Sequence, residues 1–281
     1  MELATLSPMT SWEALVLALG AMGTGIYLLI KGGDWTVNSS VYVAVHFGIS
    51  PMVVGFTIVA IGTSLPELVV SLLANMQGSG GIAIGNVLGS NIANILLVVG
   101  ATALFVTLKT HTKGVVKDLI FMLVATGIIT YLLMLGDIGR IAGACMIILL
   151  LSYIFLQYKM ALSGEIDAEN DEEEPEYKRA FEPYLFLIFG LASVALGAEF
   201  LVRGAQVAAE VLSVPEAVIA LSIIALGTSL PELSTCIIAA RRGQTEMVIG
   251  NIIGSNVFNI LMILGITAMI KPIAQGTYDP Q

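Results

Sequence analysis

The sequence predicts an all-α, polytopic membrane protein, and its composition and the length of its apolar runs carry that prediction. Hydrophobic residues make up 57% of the 281 residues and charged residues only 12%, and the mean hydropathy is +0.92. A soluble domain carries about 25% charged residues, so the deficit indicates that lipid surrounds most of the chain. A helix needs about 20 apolar residues to cross a bilayer core about 30 Å thick. Eight runs of about this length or longer follow one another, at residues 12–30, 52–75, 82–108, 115–135, 139–158, 184–202, 215–240 and 246–270.

The loops between the runs differ in charge, and this difference predicts the orientation. Within the loop at 159–183, residues 165–176 hold a block of eight acidic side chains, a composition typical of a solvated loop. With the N-terminus outside, one side of the membrane collects nine of the twelve basic residues, namely Lys31, Lys109, Lys113, Lys117, Lys159, Lys178, Arg179, Arg241 and Arg242. Cytoplasmic loops carry the excess of Lys and Arg. The N-terminus is therefore predicted outside and the 159–183 loop in the cytoplasm.

A six-residue motif, Gly-Thr-Ser-Leu-Pro-Glu, occurs twice, at residues 62–67 and 227–232. A second pattern, Gly-Asn followed by Gly-Ser-Asn, begins at Gly85 and again at Gly250. Both patterns recur at an offset of 165 residues. Gene duplication explains why two patterns in adjacent runs recur at the same offset, which chance is unlikely to produce. The chain is therefore predicted to contain an internal repeat.

The offset predicts that the second copy is inverted, because it spans five membrane crossings and an odd number turns the copy upside down. We expect a first repeat at 12–158 with five spans, the acidic loop at 159–183, and a second repeat at 184–270 with three spans, two fewer than the first. Inverted repeats recur among secondary transporters, whose substrate sites lie near the midplane where the repeats meet. The predicted fold class is thus an inverted-repeat secondary transporter.

Each copy of the motif places one glutamate inside an apolar run. A charged side chain at the bilayer centre costs about 2.5–3.5 kcal/mol on insertion scales, so Glu67 and Glu232 should face the protein interior and have a partner. Neither 52–75 nor 215–240 contains a Lys or Arg. The remaining partner is a mobile cation.

The residues before each glutamate predict a broken helix at the ion site. Pro66 and Pro231 lack an N–H and clash with the preceding turn, so we expect carbonyls such as those of Ala60 and Ala225 to be freed. The threonine of each motif lies four positions before its glutamate and shares a helix face with it. Carboxylate, hydroxyl and carbonyl oxygens would then come together, and such hard ligands suit Ca²⁺ and also Na⁺.

The neighbouring run in each copy carries a polar stripe with a spacing of four. The stripes are Asn86, Ser90 and Asn94 in the first copy and Asn251, Ser255 and Asn259 in the second. One stripe alone is typical of small-residue packing with hydrogen bonds between helices. Two stripes in register with two buried glutamates predict that they line the cation site. Cys236, four residues beyond Glu232, is expected to be a small buried residue.

At these motifs the sequence resembles the cation/Ca²⁺ exchanger superfamily, and most of all its prokaryotic Na⁺/Ca²⁺ exchanger branch, over about residues 12–270. The resemblance implies an antiporter of a prokaryotic plasma membrane in which Glu67 and Glu232 bind Ca²⁺ and Na⁺ alternately. It implies further oxygen ligands at Thr63, Thr228, Ser64, Ser229, Ser90, Asn94, Ser255 and Asn259, and at the backbone of Ala60 and Ala225. Relatives often carry an Asp at the position of Asn259, so this site is expected to hold two carboxylates and not three.

Two other functions would also use buried polar groups. A Ca²⁺/H⁺ antiporter would load protons on the glutamates, but proton-coupled members of the superfamily usually place a Glu in the Gly-Asn motif, which this chain lacks. An intramembrane enzyme would need a general base, and the repeated runs contain no His and no HExxH zinc motif. We therefore expect no enzymatic activity, no cofactor and no nucleic-acid partner; the expected partners are metal cations and the lipid bilayer.

Overall fold

The computed structural model describes residues 11–108, 112–162, 177–212, 214 and 227–274, and within these ranges the chain is helical apart from short turns. Six of the described helices are long and apolar enough to cross a membrane, and the number becomes seven if one bent pair is taken as a single span. The predicted all-α, polytopic membrane fold is confirmed.

The helices are numbered here in chain order. They are α1 Ser11–Phe47, α2 Pro51–Thr63, α3 Leu65–Met76, α4 Gly80–Phe105, α5 Thr112–Leu135, α6 Arg140–Leu162, α7 Glu182–Val211, α8 Leu230–Arg241 and α9 Thr245–Ile270.

Two predicted spans differ from the observed helices. The run at 12–30 is only the first half of α1, which continues to Phe47 without a proline to interrupt it. The run at 215–240 lies partly outside the described residues, and its described end forms α8.

The repeat extends to the turns between the helices. Gly78 follows α3 at a φ of 89° and Gly243 follows α8 at a φ of 81°. L side chains rarely adopt such positive φ, so glycine permits both sharp turns. The two glycines are 165 positions apart, in the same register as the motifs.

The helix α9 lies at the centre of the bundle. Its most apolar stretch is 83% buried, whereas those of the other long spans are 17–28% buried and leave most of their apolar side chains for lipid. Small residues bring α2 against it: a Cβ added at Gly250 would lie 2.1 Å from the Met52 carbonyl oxygen, and one at Gly254 would lie 2.3 Å from that of Phe56. The backbones of α2 and α9 therefore touch directly.

The two longest described helices, α1 and α7, pack against each other through glycines. A Cβ at Gly25 would lie 2.7 Å from the Gly197 carbonyl oxygen, and one at Gly190 would lie 2.9 Å from that of Gly32. The numbers rise on one helix as they fall on the other, so the helices run antiparallel. Close backbone approach of this kind stabilises helix association in lipid.

Candidate functional site

The chain leaves helical geometry at the serine of each motif. Ser64 and Ser229 both have a φ of −87° and a ψ of 4°, and α2 and α3 meet at an angle of 44°. Pro66 and Pro231 come second in the helices that follow, where a missing N–H leaves no helical bond unmade. The predicted break is observed between α2 and α3, and Ser229 repeats the backbone angles of Ser64 in the second copy.

The break places each glutamate in the first turn of a new helix. Glu67 lies at the start of α3 and Glu232 at the start of α8. The N-terminal end of a helix carries a partial positive charge that stabilises a carboxylate. The backbone thus offsets part of the cost of placing these charges in an apolar bundle.

Both glutamates are fully enclosed, with 0% of Glu67 and 1% of Glu232 exposed. Neither carboxylate oxygen of Glu67 has a hydrogen-bond partner in the described part of the chain, and Oε2 of Glu232 also lacks one. The ion pairs Arg203–Glu199 and Arg242–Asp34 involve neither glutamate. A buried carboxylate with no counter-charge is costly, so this pocket of oxygens fits a bound cation.

The two repeats meet at these glutamates. The Ser64 hydroxyl donates a hydrogen bond of 3.2 Å to Oε1 of Glu232. The hydroxyls of Ser90 and Thr228 lie 3.5 Å apart. Each contact joins a residue of the first repeat to one of the second, so the site lies at the interface that the inverted duplication predicts.

The composition of the site favours a hard cation. Across the described residues, no group of three or more His, Cys, Asp or Glu side chains could hold a metal ion. The two carboxylates are accompanied instead by hydroxyl and amide oxygens. Oxygen-only surroundings suit Ca²⁺ and similar cations, whereas transition metals prefer imidazole and thiolate.

The Ala60 carbonyl is not freed as the sequence suggests. It accepts hydrogen bonds from the Ser64 N–H at 3.1 Å and from the Thr63 hydroxyl at 3.4 Å. The reason is register, because a proline removes the bond to the residue four positions earlier, which for Pro66 is Gly62. Ala225, the equivalent of Ala60, lies outside the described residues.

The first residue of each polar stripe supports a neighbouring helix. Asn86 donates to the Ser71 hydroxyl at 2.9 Å and to the Glu67 backbone oxygen at 3.2 Å. Asn251 donates to Sγ of Cys236 at 3.3 Å. Cys236 is 1% exposed, as expected for a small buried residue. These two asparagines hold α3 and α8 in place.

The remaining stripe residues are buried beside the glutamates: Ser90, Asn94, Ser255 and Asn259 are at most 3% exposed. Both amide atoms of Asn94 lack a partner among the described residues, and so does Oδ1 of Asn259. The Ser255 hydroxyl donates to Oδ1 of Asn251 at 3.4 Å. The stripes thus contribute neutral amide oxygens that are buried and unpartnered in the described part of the chain, like the carboxylate oxygens of Glu67.

Asn91 is a residue near the candidate site that the sequence pattern does not predict. It lies within the Gly-Ser-Asn pattern but outside the spacing of four that marks the stripe. In the structure it contacts both Asn256 and Asn259 on α9. Asn91 recurs as Asn256 in the second copy, although neither residue belongs to a polar stripe. This recurrence is the sequence signal that could identify it.

A cavity of about 500 Å³ adjoins the site. Pro66 and Thr228 border it at the motifs, and α7 contributes Glu199, Arg203 and Glu210. Glu199 and Arg203 form an exposed ion pair of 2.5 Å on that helix. The cavity therefore connects the motif region with charged, exposed side chains.

Comparison with known proteins extends the similarity beyond the motifs. Residues 17–159 and 182–280 match the family described as "Sodium/calcium exchanger protein". The chain is 35% identical to the inner membrane protein YrbG of Escherichia coli strain K12 over 272 residues, which cover 95% of this chain and 83% of that protein. It is 32% identical to the sodium/calcium exchanger MaX1 of Methanosarcina acetivorans over 288 residues, which cover 89% of this chain and 82% of that one.

The fold is similar to that of a solved structure as well. A structure of the sodium-calcium exchanger NCX_Mj, soaked with 100 mM Na⁺ and 10 mM Sr²⁺, superposes with a TM-score of 0.80 at 33% sequence identity. The match covers 92% of this chain and 84% of that one. The similarity therefore extends over both repeats.

Proposed function

Because the chain belongs to the sodium/calcium exchanger protein family, we propose that it exchanges Ca²⁺ for Na⁺ across a membrane by alternating access at Glu67 and Glu232. The family and the structural likeness support cation/Ca²⁺ exchange as the general activity. One observation carries the specific proposal: two buried glutamates at the repeat interface have carboxylate oxygens without a partner in the described part of the chain.

The proposed ligand set surrounds the two carboxylates with neutral oxygens. Its members are the side chains of Thr63, Thr228, Ser64, Ser229, Ser90, Asn94, Ser255 and Asn259, and the carbonyls of Ala60 and Ala225. Seven of these eight side chains are buried and Thr228 is half-buried. This burial and the unpartnered oxygens of Asn94, Ser229 and Asn259 support the assignment. The Ala60 carbonyl already accepts two hydrogen bonds, so it would bind the cation by giving up one of them, such as the 3.4 Å bond from the Thr63 hydroxyl.

The charge of the site gives a physical reason why the protein would exchange cations and not let them leak across the membrane uncoupled. Two carboxylates carry a charge of −2, which one Ca²⁺ or two Na⁺ would neutralise. A loaded site can then change its access with little net charge inside the membrane. An empty site keeps both charges and the cost of holding them away from water, so it changes access slowly.

This asymmetry predicts that Ca²⁺ efflux from loaded vesicles depends on a counter-ion. With the full chain in proteoliposomes and the membrane potential clamped, Ca²⁺ should leave rapidly when Na⁺ is present outside and slowly into cation-free medium. Radiolabelled Ca²⁺ retained in the vesicles measures the rate. Fast efflux into cation-free medium would indicate a channel or uniporter and contradict the proposal.

Exchange of Ca²⁺ for protons is the second candidate, because two protons would neutralise the same two carboxylates. The same vesicles distinguish the two ions. Uptake driven by an outward Na⁺ gradient at equal pH on both sides supports Na⁺ coupling. Uptake driven only by a proton gradient supports the alternative.

The charge distribution of the loops supports an N-terminus outside and a cytoplasmic 159–183 loop. In a Cys145→Ser background, which removes the exposed native cysteine, an Ala168→Cys variant should resist an impermeant thiol reagent in intact cells. A Gly139→Cys variant, in the turn between α5 and α6 on the opposite predicted side, should react. Labelling in the reverse pattern would show that the orientation is wrong.

A further inference from the structure

Asn91 on α4 bridges two residues of α9 beside the site. Its Nδ2 donates a hydrogen bond of 3.2 Å to the backbone carbonyl oxygen of Asn256. Its Oδ1 accepts a hydrogen bond of 3.0 Å from Nδ2 of Asn259. Asn91 belongs to the first repeat and its two partners to the second, so the bridge crosses the repeat interface.

The chemistry of these groups leaves one orientation for each amide. A backbone carbonyl can only accept a hydrogen bond, so the NH₂ group of Asn91 must face Asn256. The oxygen of Asn91 then faces Asn259, whose NH₂ group must donate the hydrogen bond to it. The amide of Asn259 is therefore turned so that Oδ1 points away from Asn91, and this oxygen is buried without a partner in the described part of the chain.

From this chain of contacts we infer that Asn91 is a positioning residue, which holds the Asn259 amide with its oxygen available to the transported cation. The inference rests on the proposed function, because it assigns a task to a residue of that site. An amide NH₂ group has no lone pair to give to a cation, so the orientation decides whether Asn259 acts as a ligand or repels the ion. A ligand oxygen fixed in advance also avoids the cost of ordering it on binding.

The equivalent residues in the other copy do not form this bridge. Asn256 is the counterpart of Asn91, but its Nδ2 donates to the Ile252 carbonyl within its own helix at 2.9 Å. Both amide atoms of Asn94, the counterpart of Asn259, lack a partner among the described residues. One of the two site asparagines is thus held and the other is not, which makes the site asymmetric although the motifs are the same.

The bridge also matches an amide, and not a carboxylate, at position 259. A carboxylate there would set two acceptor oxygens against each other at the place where Asn91 and Asn259 now share a hydrogen bond of 3.0 Å. Asn91 could relieve that repulsion only by giving up its bond to the Asn256 carbonyl. The residues at 91 and 259 are therefore complementary.

The experiment is a double-mutant cycle on the purified full chain, read as Ca²⁺-dependent thermal stabilisation. Asn91→Leu keeps a similar volume but cannot hydrogen-bond, and it should raise the half-saturating Ca²⁺ concentration about tenfold, as expected for the loss of a buried hydrogen bond that orients a ligand. Asn259→Leu should raise it at least as much. The double variant should be no weaker than Asn259→Leu, because Asn91 acts through Asn259.

Asn75→Leu is the matched control. Asn75 is also a buried asparagine that donates to a backbone carbonyl of the other repeat, that of Lys271 at 2.7 Å, but it lies at the end of α3 away from the glutamates. This variant should lower the melting temperature without Ca²⁺ and leave the half-saturating concentration unchanged. If Asn91→Leu fails to fold, Asn91→Ala takes its place in the cycle.

Several outcomes would overturn the inference. An Asn91 variant that titrates like the wild type would show that Asn91 does not position a ligand. If the increase in the half-saturating Ca²⁺ concentration of the double variant equals the combined increases of both single variants, the two residues act independently. A wild-type chain with no response to Ca²⁺ would refute the proposed function itself, while a responsive wild type with an unaffected Asn91 variant refutes only this inference.

Discussion

Glu67→Gln and Glu232→Gln are each expected to abolish Ca²⁺ uptake while the protein remains folded. Glutamine keeps the size and one oxygen of the side chain but removes one of the two negative charges at the site. Two unit charges 4 Å apart attract by about 4 kcal/mol at an effective dielectric constant of 20. Losing that attraction lowers cation affinity by about a thousandfold. Radiolabelled Ca²⁺ uptake into proteoliposomes measures the effect.

The matched control is Glu182→Gln at the start of α7. Glu182 also lies in the first turn of a helix and accepts a hydrogen bond from the Lys178 N–H at 3.0 Å, but it is outside the site. It should transport Ca²⁺ at the wild-type rate. Size-exclusion chromatography of all three variants checks folding. Normal uptake by either site variant would remove that glutamate from the mechanism.

Gly197→Ala is expected to lower stability more than the size of a methyl group suggests. The new Cβ would lie 2.8 Å from the Gly25 carbonyl oxygen and 2.8 Å from the Leu29 nitrogen. Both are backbone atoms, which cannot move aside as a flexible side chain can, so α1 and α7 must separate. Overpacking of this kind costs about 1–3 kcal/mol. The melting temperature in detergent measures the loss.

Gly23→Ala on α1 is the control for this prediction. A Cβ at Gly23 meets no atom within 4 Å, and alanine favours a helix over glycine by about 1 kcal/mol. This variant should therefore melt at the same temperature as the wild type or higher. Equal melting temperatures for Gly23→Ala and Gly197→Ala would show that the close approach does not limit stability.

Much of the site could be predicted from the sequence because duplication repeats its signal. Charged residues are rare in apolar runs, so Glu67 and Glu232 stand out, and each confirms the register of the other. The break was predictable from Pro66 and Pro231, whose effect on a helix is local. Features that depend only on residues close together in the sequence could therefore be predicted from it.

Features that depend on distant contacts were not predictable. The apolar run at 12–30 ends where Lys31 and Asp34 begin a more polar stretch, yet α1 continues to Phe47. Asp34 is accommodated there by an ion pair of 2.6 Å with Arg242, far away in the sequence. The bridge from Asn91 to α9 is hidden for the same reason, since no local spacing reveals it.

The length of α1 has a consequence for the choice of lipid. At about 1.5 Å per residue, its 37 residues extend over roughly 55 Å, well beyond a hydrocarbon core about 30 Å thick. A helix of this length either projects beyond the core or tilts within it, and where its apolar stretch exceeds the local thickness it tilts or thickens the bilayer. Because glycine contacts hold α1 against α7, the two helices must tilt together. The acyl-chain length of the lipids sets the bilayer thickness, so bilayers of different thickness will give this helix pair different tilt angles.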